Sequence, residues 1–185
     1  MIKFLDEKDI FKGFETERLI LREWSRNDND DIIEGANNYN IGKWTSVPYP
    51  YTQEEADKFF AKLPKKNSKE KFYFAVECKE NKKVIGGASM ATDERNIASG
   101  GLWVNEKFHG KGYGTELWRG VMEFCFNWVD TIESGFLEGN EASWNMHKKI
   151  GFKLTGETRE WNKCVARGVP VTEIRCVLHK KEYLN

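Results

Sequence analysis

The chain has little of what marks several large protein classes. Of its 185 residues only four are cysteine, four are proline and three are histidine, and basic and acidic side chains balance at 29 each. Without a positive excess, no overall field draws the chain onto nucleic acid or an anionic membrane. The cysteines contain no Cys-x-x-Cys pair, which argues against a zinc site or a disulfide framework and favours buried, reduced thiols at Cys78, Cys125, Cys164 and Cys176.

Long uncharged apolar runs are also missing, which argues against a membrane span and a membrane partner. The opening "MIKFLDEKDI" lacks the basic-then-apolar layout of a signal peptide, so we expect a cytoplasmic protein. No Ser/Gly/Pro-rich stretch divides the chain, and its length and apolar content suit one domain over residues 1–185.

Short segments with strand and helix patterns alternate along the chain. The β-rich run "ERLILRE" (residues 17–23) predicts the first strand, and "KFYFAVEC" with "KVIGGASMA" predicts a hairpin. Four further strands are predicted at "SGGLWVNE", "TIESGFLE", "GFKLTGETRE" and "TEIRCVLHKK". The order indicates a mixed α/β (α+β) domain, mostly antiparallel, with one strand–helix–strand crossover around residues 115–129.

Helix signals lie between these strands. Thr52 followed by Glu55 is a capping-box pattern, and it predicts a helix that ends before Pro64. A second helix is predicted from Thr115, because its apolar residues fall four, four and three apart; they are Leu117, Val121, Cys125 and Trp128. A third, "SWNMHKKI", is predicted to end at Gly151 as its C-terminal cap.

The stretch "NEKFHGKGYGTELW" places Gly110, Gly112 and Gly114 on alternate positions directly before the second of these helices. Glycine inside a regular element costs roughly 0.5–1 kcal/mol relative to alanine, so three together suggest backbone that approaches a ligand. Free N–H groups and the positive end of a helix dipole then favour a phosphate, and Lys111 adds a charge. The alternative is a turn that only connects strand to helix.

Two common phosphate-binding motifs do not match this stretch. A Walker loop needs Ser or Thr after Gly-Lys, but Gly112 follows Lys111. A dinucleotide site needs G-x-G-x-x-G, whereas the spacing here is G-x-G-x-G. Glu133 lies about 20 residues downstream, where a ribose-binding acid would stand, but the antiparallel pattern does not suit a doubly wound sheet.

Asn140 and Ser143 form a second candidate site, where a predicted strand ends and a helix begins. Their side chains can cap the helix or point into a cleft. From chemistry alone, N-capping by Ser143 is the favoured interpretation. Gly151 and Phe152 are interpreted as structural.

The two motifs "FHGKGYGTE" and "NEASWNMHKKIGF" resemble those of the GCN5-related N-acetyltransferases (GNAT), and more narrowly the RimJ/RimL-like branch of ribosomal-protein N-terminal acetyltransferases. The segments "TERLILREW", "PYPYTQEEADKFF" and "GLWV" are also similar to that branch. The resemblance runs from about residue 15 to residue 178. It implies a GNAT fold of six to seven strands flanked by about four helices, with acetyl-CoA as co-substrate and no metal.

The resemblance also assigns roles to residues. It implies that the glycine loop binds the pyrophosphate of acetyl-CoA and that the backbone of the preceding strand pairs with the pantetheine arm. It further implies that Asn140 and Ser143 flank the thiol end of the cofactor, where the Ser143 hydroxyl can protonate the departing thiolate. The loop residues are His109, Gly110, Lys111, Gly112, Tyr113, Gly114 and Thr115, and the strand residues are Leu102, Trp103 and Val104.

Three positions depart from the family pattern. His109 stands where relatives have Arg or Gln, so backbone amides are left to bind the phosphates. Ser99 stands where many relatives carry a glutamate that acts as general base. Thr172 stands where relatives often show an aspartate before the final strand; Glu173 beside it is a weak candidate for the base and is interpreted instead as a solvated strand residue.

The resemblance implies direct transfer of acetyl to an amine, without a covalent enzyme intermediate. A strand N–H near Trp103 or Val104 would polarise the carbonyl. Cys125 lies on the apolar helical stripe and is interpreted as a packing residue. Because of Ser99, a non-catalytic acyl-CoA sensor or scaffold remains the alternative function.

The acceptor amine is expected to be a protein N-terminus or a small molecule. Trp44, Tyr49 and Tyr51 cluster in a proline-marked loop that in relatives lies on the acceptor side, and aromatic rings there can bind the acceptor. Equally, the same rings can pin the loop to its own core. The loop has no acidic cluster to favour a polyamine, and we expect a monomer or homodimer.

Overall fold

The computed structural model describes residues 1–162 and 164–183, and within them the chain forms nine strands and six α-helices. The strands are β1 Lys3–Phe4, β2 Gly13–Glu15, β3 Leu19–Glu23, β4 Lys71–Cys78, β5 Val84–Thr92, β6 Ile97–Val104, β7 Thr131–Leu137, β8 Lys153–Trp161 and β9 Val171–His179. The helices are α1 Asn29–Ala36, α2 Tyr39–Gly42, α3 Gln53–Lys62, α4 Tyr113–Cys125, α5 Glu141–Ile150 and α6 Lys180–Tyr183. The mixed α/β class is confirmed, but the expected numbers of strands and helices were too low.

The missed elements are short. β1 and β2 contain two and three residues, and α2 and α6 contain four each. Segments of that length carry too few residues to show a period of 2 or 3.6. The strand predicted over residues 17–23 is present as β3, but it is not the first strand, because β1 and β2 precede it and β2 pairs with it antiparallel.

All nine strands form one sheet in the order β1-β2-β3-β4-β5-β6-β7-β9-β8. Every pair of neighbours is antiparallel except β6 and β7, which run parallel. α4 lies in the connection between these two strands, so the predicted crossover is confirmed. None of the helices in the described residues has the length and apolar character needed to cross a bilayer.

α4 packs on one face of the sheet. Its residues Leu117, Val121 and Cys125 are 0% exposed, as their predicted spacing requires. The helix ends at Cys125, however, so Trp128 does not belong to it. Trp128 instead follows a short turn and donates from Nε1 to Thr92 Oγ1 at 3.1 Å.

α1 and α3 contribute to a second apolar cluster, which contains the side chain of Trp103. Thr52 caps α3 by accepting a hydrogen bond from the N–H of Glu55 at 3.4 Å, and the helix ends before Pro64 as predicted. Along β6, Leu102 and Val104 contact the α4 cluster, whereas Trp103 contacts the α1/α3 cluster. The alternation of side chains along a strand thus lets β6 line both faces of the sheet.

Candidate functional site

β6 and β7 separate in the middle of the sheet. Their parallel pairing covers only Ile97–Ser99 on β6 and Thr131–Glu133 on β7. Beyond that point β6 stays paired to β5 and β7 stays paired to β9, so the two strands diverge toward their carboxyl ends. The two strands therefore form the walls of a cleft, and backbone N–H and C=O groups of the strands line it.

Two hydrogen bonds at the end of β6 show which way its backbone N–H and C=O groups point. The N–H of Asn105 donates to Ile85 on the β5 side, whereas the carbonyl of Val104 accepts from the ring Nε2 of His109 at 2.6 Å. Backbone groups alternate along a strand, so those of Leu102 and Val104 face the cleft and those of Trp103 face β5. Trp103 N–H is therefore excluded as the donor expected to polarise a carbonyl in the cleft, and Leu102 and Val104 remain.

The glycine turn lies between β6 and α4. Gly110 and Gly112 have φ of +73° and +84°, a region that glycine adopts without strain. A Cβ at Gly110 would meet nothing within 4 Å, and one at Gly112 would meet only Nη2 of Arg18, at 3.3 Å. Gly114 differs, because it lies inside α4, and a Cβ there would touch Met146 of α5 at 3.5 Å. Two of the three glycines thus keep the turn open, and the third lies at the contact between two helices.

The first turn of α4 faces this glycine turn. The N–H of Glu116 donates the first intrahelical hydrogen bond, to the carbonyl of Gly112. The N–H groups of Tyr113, Gly114 and Thr115 precede it and therefore have no acceptor within the helix. Lys111 Nζ is exposed and donates to the carbonyl of Lys107 at 3.1 Å. The His109 ring is bonded to the carbonyl of Val104, so this side chain links the turn to β6, and phosphate binding is left to backbone amides, as expected from the departure at this position.

Sequence reasoning missed Arg18, which supports the turn from outside. Its Nε donates to Glu116 Oε2 at 2.6 Å, and its backbone N–H donates to Oε1 of the same carboxylate at 2.7 Å. Burial raises the pKa of Glu116, but hydrogen bonds from Thr16 and from Arg18 outweigh it and hold the pKa below its usual value. Because Arg18 and Glu116 are 98 residues apart, no local pattern points to the pair.

The second candidate site lies at the start of α5. Asn140 is the N-cap, and its Oδ1 accepts a hydrogen bond from the N–H of Ser143 at 3.1 Å. The interpretation of Ser143 as N-cap was therefore wrong, because its position three residues into the motif places it in the first helical turn. Gly151 closes the same helix with φ of +110°, as predicted.

Ser143 contacts a buried histidine that sequence reasoning also missed. His147 Nδ1 donates to the carbonyl of Ser143 at 2.8 Å and lies 3.5 Å from its hydroxyl, and Ser134 Oγ on β7 donates to Nε2 at 2.9 Å. Burial lowers the pKa of His147, although the hydrogen bond to Ser143 opposes this, so the ring is held neutral. Residues four apart share one helix face, so the spacing of Ser143 and His147 was an available signal.

One cavity of about 770 Å³ runs through the cleft and is lined from both faces of the sheet. On the α4/α5 side it borders Trp118, Asn140, Ser143 and His147. On the opposite side it borders four tryptophans, which are Trp24, Trp44, Trp103 and Trp161. The divergence of β6 and β7 therefore connects the two faces.

Of the three predicted acceptor residues, Trp44 and Tyr51 line this cavity. Tyr51 is 5% exposed, and burial raises the pKa of its phenol to about 12. Tyr49 is 43% exposed and packs edge-to-face on Tyr39, with ring centroids 5.6 Å apart, outside the cavity lining. The loop thus brings together two of its aromatics and turns the third outward.

Glu173 also borders the cavity, and its interpretation as a solvated strand residue was wrong. It is 6% exposed and pairs with Arg159 of β8 and Arg175 of β9. Gly135 on β7 has no side chain, and this lets the carboxylate lie against that strand, because a Cβ there would fall 2.7 Å from Glu173 Cδ. Ser99 lies at the edge of the same cavity, exposed and without a carboxylate.

The four cysteines are buried, as expected, and free. Burial raises the pKa of Cys125 far above the ordinary thiol value, which disfavours the nucleophilic thiolate. Within residues 1–162 and 164–183, no group of three or more His, Cys, Asp or Glu side chains is placed to hold a metal ion.

Comparisons with known proteins agree with this architecture. A family model described as an acetyltransferase (GNAT) domain matches residues 18–153. The L-amino acid N-acetyltransferase AaaT of Escherichia coli (strain K12) is 27% identical over 84 residues, 42% of this chain and 52% of the relative. The chain thus spans about half the length of that curated relative.

Two solved structures share the fold. Spermidine N-acetyltransferase from Vibrio cholerae, in complex with CoA and spermine, superposes with a TM-score of 0.74 at 21% identity, covering 92% of this chain and 100% of that one. A putative ribosomal-protein-serine acetyltransferase from Vibrio cholerae superposes with a TM-score of 0.70 at 19% identity, covering 89% of this chain and 95% of that one. At these identities the likeness is one of fold.

Proposed function

Since this chain belongs to the GNAT acetyltransferase family and carries the domain of an acetyl-CoA-dependent N-acetyltransferase, we propose that it moves an acetyl group directly from acetyl-CoA to a primary amine. The acceptor is a protein N-terminus or a small molecule. The observation that carries the proposal is the cavity through the β6/β7 cleft. Because residues from both faces of the sheet line it, acetyl-CoA on one face and the amine on the other could meet there.

The residues present fit acetyl-CoA. Gly110 and Gly112 leave open space beside the first-turn amides of α4, which suits a pyrophosphate. Trp118 is 1% exposed and borders the cavity, and its Nε1 has no hydrogen-bond partner among the described residues. A buried donor without a partner is costly, so a ligand oxygen at this point would stabilise it.

When bound, acetyl-CoA supplies a thioester carbonyl as the electrophile. The cleft-facing N–H groups of Leu102 and Val104 are placed to donate to a carbonyl oxygen there. Ser143 lines the cavity, and we assign to its hydroxyl the protonation of the leaving thiolate. Asn140 acts through its cap, because it orients the helical turn that carries Ser143.

The charges around the cavity favour a neutral or anionic acceptor over a polycation. Three acidic side chains line it, and five basic ones do; they are Glu55, Glu133 and Glu173 against Lys58, Lys62, Arg95, Arg159 and Arg175. Coulombic repulsion disfavours a polyamine here. An amino acid or a peptide N-terminus suits the cavity better. Membership of the RimJ/RimL-like branch, the cytoplasmic location and the monomeric or homodimeric state remain predictions of the sequence.

The first experiment is a calorimetric titration of the protein with acetyl-CoA. We expect micromolar binding that is lost in Gly112→Asp, which adds bulk and negative charge in the turn. Gly156→Asp is the matched control, because Gly156 also has a positive φ and open space around it. If the parent protein does not bind acetyl-CoA, the proposal is wrong.

The second experiment measures CoA release with an L-amino-acid mixture, spermidine and a short peptide with a free N-terminus as acceptors. Release that depends on the amine and falls in Ser143→Ala supports the enzyme. Binding of acetyl-CoA without release for any amine would favour the non-catalytic acyl-CoA sensor or scaffold instead.

A further inference from the structure

We propose that Glu133 of β7 takes the proton from the attacking amine, in the place of the carboxylate that Ser99 of β6 does not provide. This inference rests on the proposed acetyl transfer. Ser99 and Glu133 are register partners, and theirs is the last pair before β6 and β7 diverge. A carboxylate on either strand at this position therefore stands at the inner end of the cleft.

Both side chains face the acceptor side of the sheet. Ala98 and Ile132, which precede them, are 0% exposed in the α4 core, so alternation directs Ser99 and Glu133 to the opposite face. Both residues line the cavity. Glu133 thus reaches the same space from β7 that a longer side chain at residue 99 would reach from β6.

The neighbouring carboxylate of Glu173 is less suited to this role. Its side chain is 8% exposed and is bonded to both Arg159 and Arg175. The Glu133 side chain is 31% exposed, and its two oxygens have longer contacts, 3.3 Å to Arg175 Nη2 and 3.7 Å to Arg95 Nη2. Glu133 therefore keeps room for a hydrogen bond from an entering amine.

Arg175 is the positioning residue of this pair. Its guanidinium donates from Nη2 to Glu133 and from Nη1 to Glu173, at 3.3 and 3.2 Å. One guanidinium thus lies between two carboxylates and holds the Glu133 side chain in place beside the cleft.

The proton balance of the step is complete. The amine nitrogen forms the new N–C bond as the C–S bond breaks, and its N–H proton passes to Glu133. The thiolate takes a proton from Ser143 Oγ, which is replaced from solvent, and Glu133 releases its proton to solvent. No oxidant, reductant or metal is needed.

The test compares Glu133→Gln with Glu173→Gln, using the best acceptor of the panel above. We expect kcat to fall at least about 100-fold in Glu133→Gln and less than about tenfold in Glu173→Gln, because general-base catalysis contributes about 10²–10⁴-fold. The acetyl-CoA affinity of Glu133→Gln stays within twofold of the parent. Its deficit narrows as pH rises, since hydroxide then takes over as proton acceptor.

Moving the carboxylate from residue 133 to residue 99 distinguishes a chemical role of Glu133 from a structural one. We expect the double variant with Ser99→Glu and Glu133→Gln to have a kcat at least tenfold higher than Glu133→Gln alone, because the two positions are register partners. An active parent with a normal Glu133→Gln rate, or a larger loss in Glu173→Gln, overturns this inference and leaves the proposed function standing. A parent that binds acetyl-CoA but acetylates no amine overturns both.

Discussion

The guanidinium of Arg18 donates from Nη1 to the carbonyl oxygen of Lys111 at 3.0 Å, which ties the start of β3 to the glycine turn. The same guanidinium bonds Glu116 in the first turns of α4 and lies 4.2 Å from the ring centroid of Tyr113. One side chain therefore fixes the turn on both sides of Gly112. A turn held in this way does not have to be ordered when the phosphates bind, which lowers the entropic cost of binding.

Arg18→Lys should weaken acetyl-CoA binding about tenfold, which corresponds to about 1.4 kcal/mol. Lysine keeps the charge but cannot bond Glu116 and the Lys111 carbonyl with one planar fork. Calorimetry measures the change, with Arg26→Lys as control, because Arg26 pairs with Asp57 on the exposed surface. Equal affinities in the two variants would contradict the role of Arg18 in the turn.

His147 makes stability depend on pH. Its pKa is lowered by burial, so as pH falls below about 6.5 the unfolded chain binds a proton that the folded protein does not. The resulting contribution to stability is present above the unfolded pKa and is lost as pH falls toward the folded pKa. Between pH 7.5 and 5.5 the parent should lose more stability than His147→Gln, measured by urea unfolding. Parallel losses in the two proteins would show that His147 does not titrate this way.

Trp44→Ala should raise the KM for the amine about tenfold and leave the affinity for acetyl-CoA within twofold. Trp44 borders the cavity on the acceptor side, where Arg167 packs over its ring at 4.3 Å. An aromatic side chain buries 150–250 Å², so its loss removes contact area from the acceptor. Steady-state kinetics give both constants. Tyr49→Ala is the control, because Tyr49 lies in the same loop outside the cavity, and an equal effect there would assign the change to the loop as a whole.

The features that the sequence predicted are those encoded within about ten residues. The N-cap of α3, the C-terminal glycine cap of α5, the open glycine turn and the α4 stripe each depend on neighbours in the chain. The family resemblance, in turn, identified Ser99 as a position where many relatives carry a glutamate.

The missed surroundings of Glu133 and Glu173 depend on strand pairing. Glu133 and Arg175 are 42 residues apart and meet because β7 pairs with β9. Glu173 was misinterpreted for the same reason, since its burial is set by Gly135 on the neighbouring strand and by Arg159 on the other side. Periodicity predicts which side of a strand a residue occupies, but it does not predict which strand lies beside it.

Gly135→Ala tests how closely the backbone of β7 packs against the side chain of Glu173. The added Cβ would lie 2.7 Å from Cδ of Glu173, whose carboxylate cannot withdraw easily because two arginines hold it. Overpacking of this kind typically costs about 1–3 kcal/mol, and we expect that loss in urea unfolding. Gly101→Ala is the matched control on β6, where a Cβ meets nothing within 4 Å, and it should leave stability within about 0.5 kcal/mol or raise it. In a Glu173→Ala background the cost of Gly135→Ala should largely disappear, since the clashing atoms are gone. A cost that persists in that background would place its cause in the β7 backbone and not in the packing of Glu173.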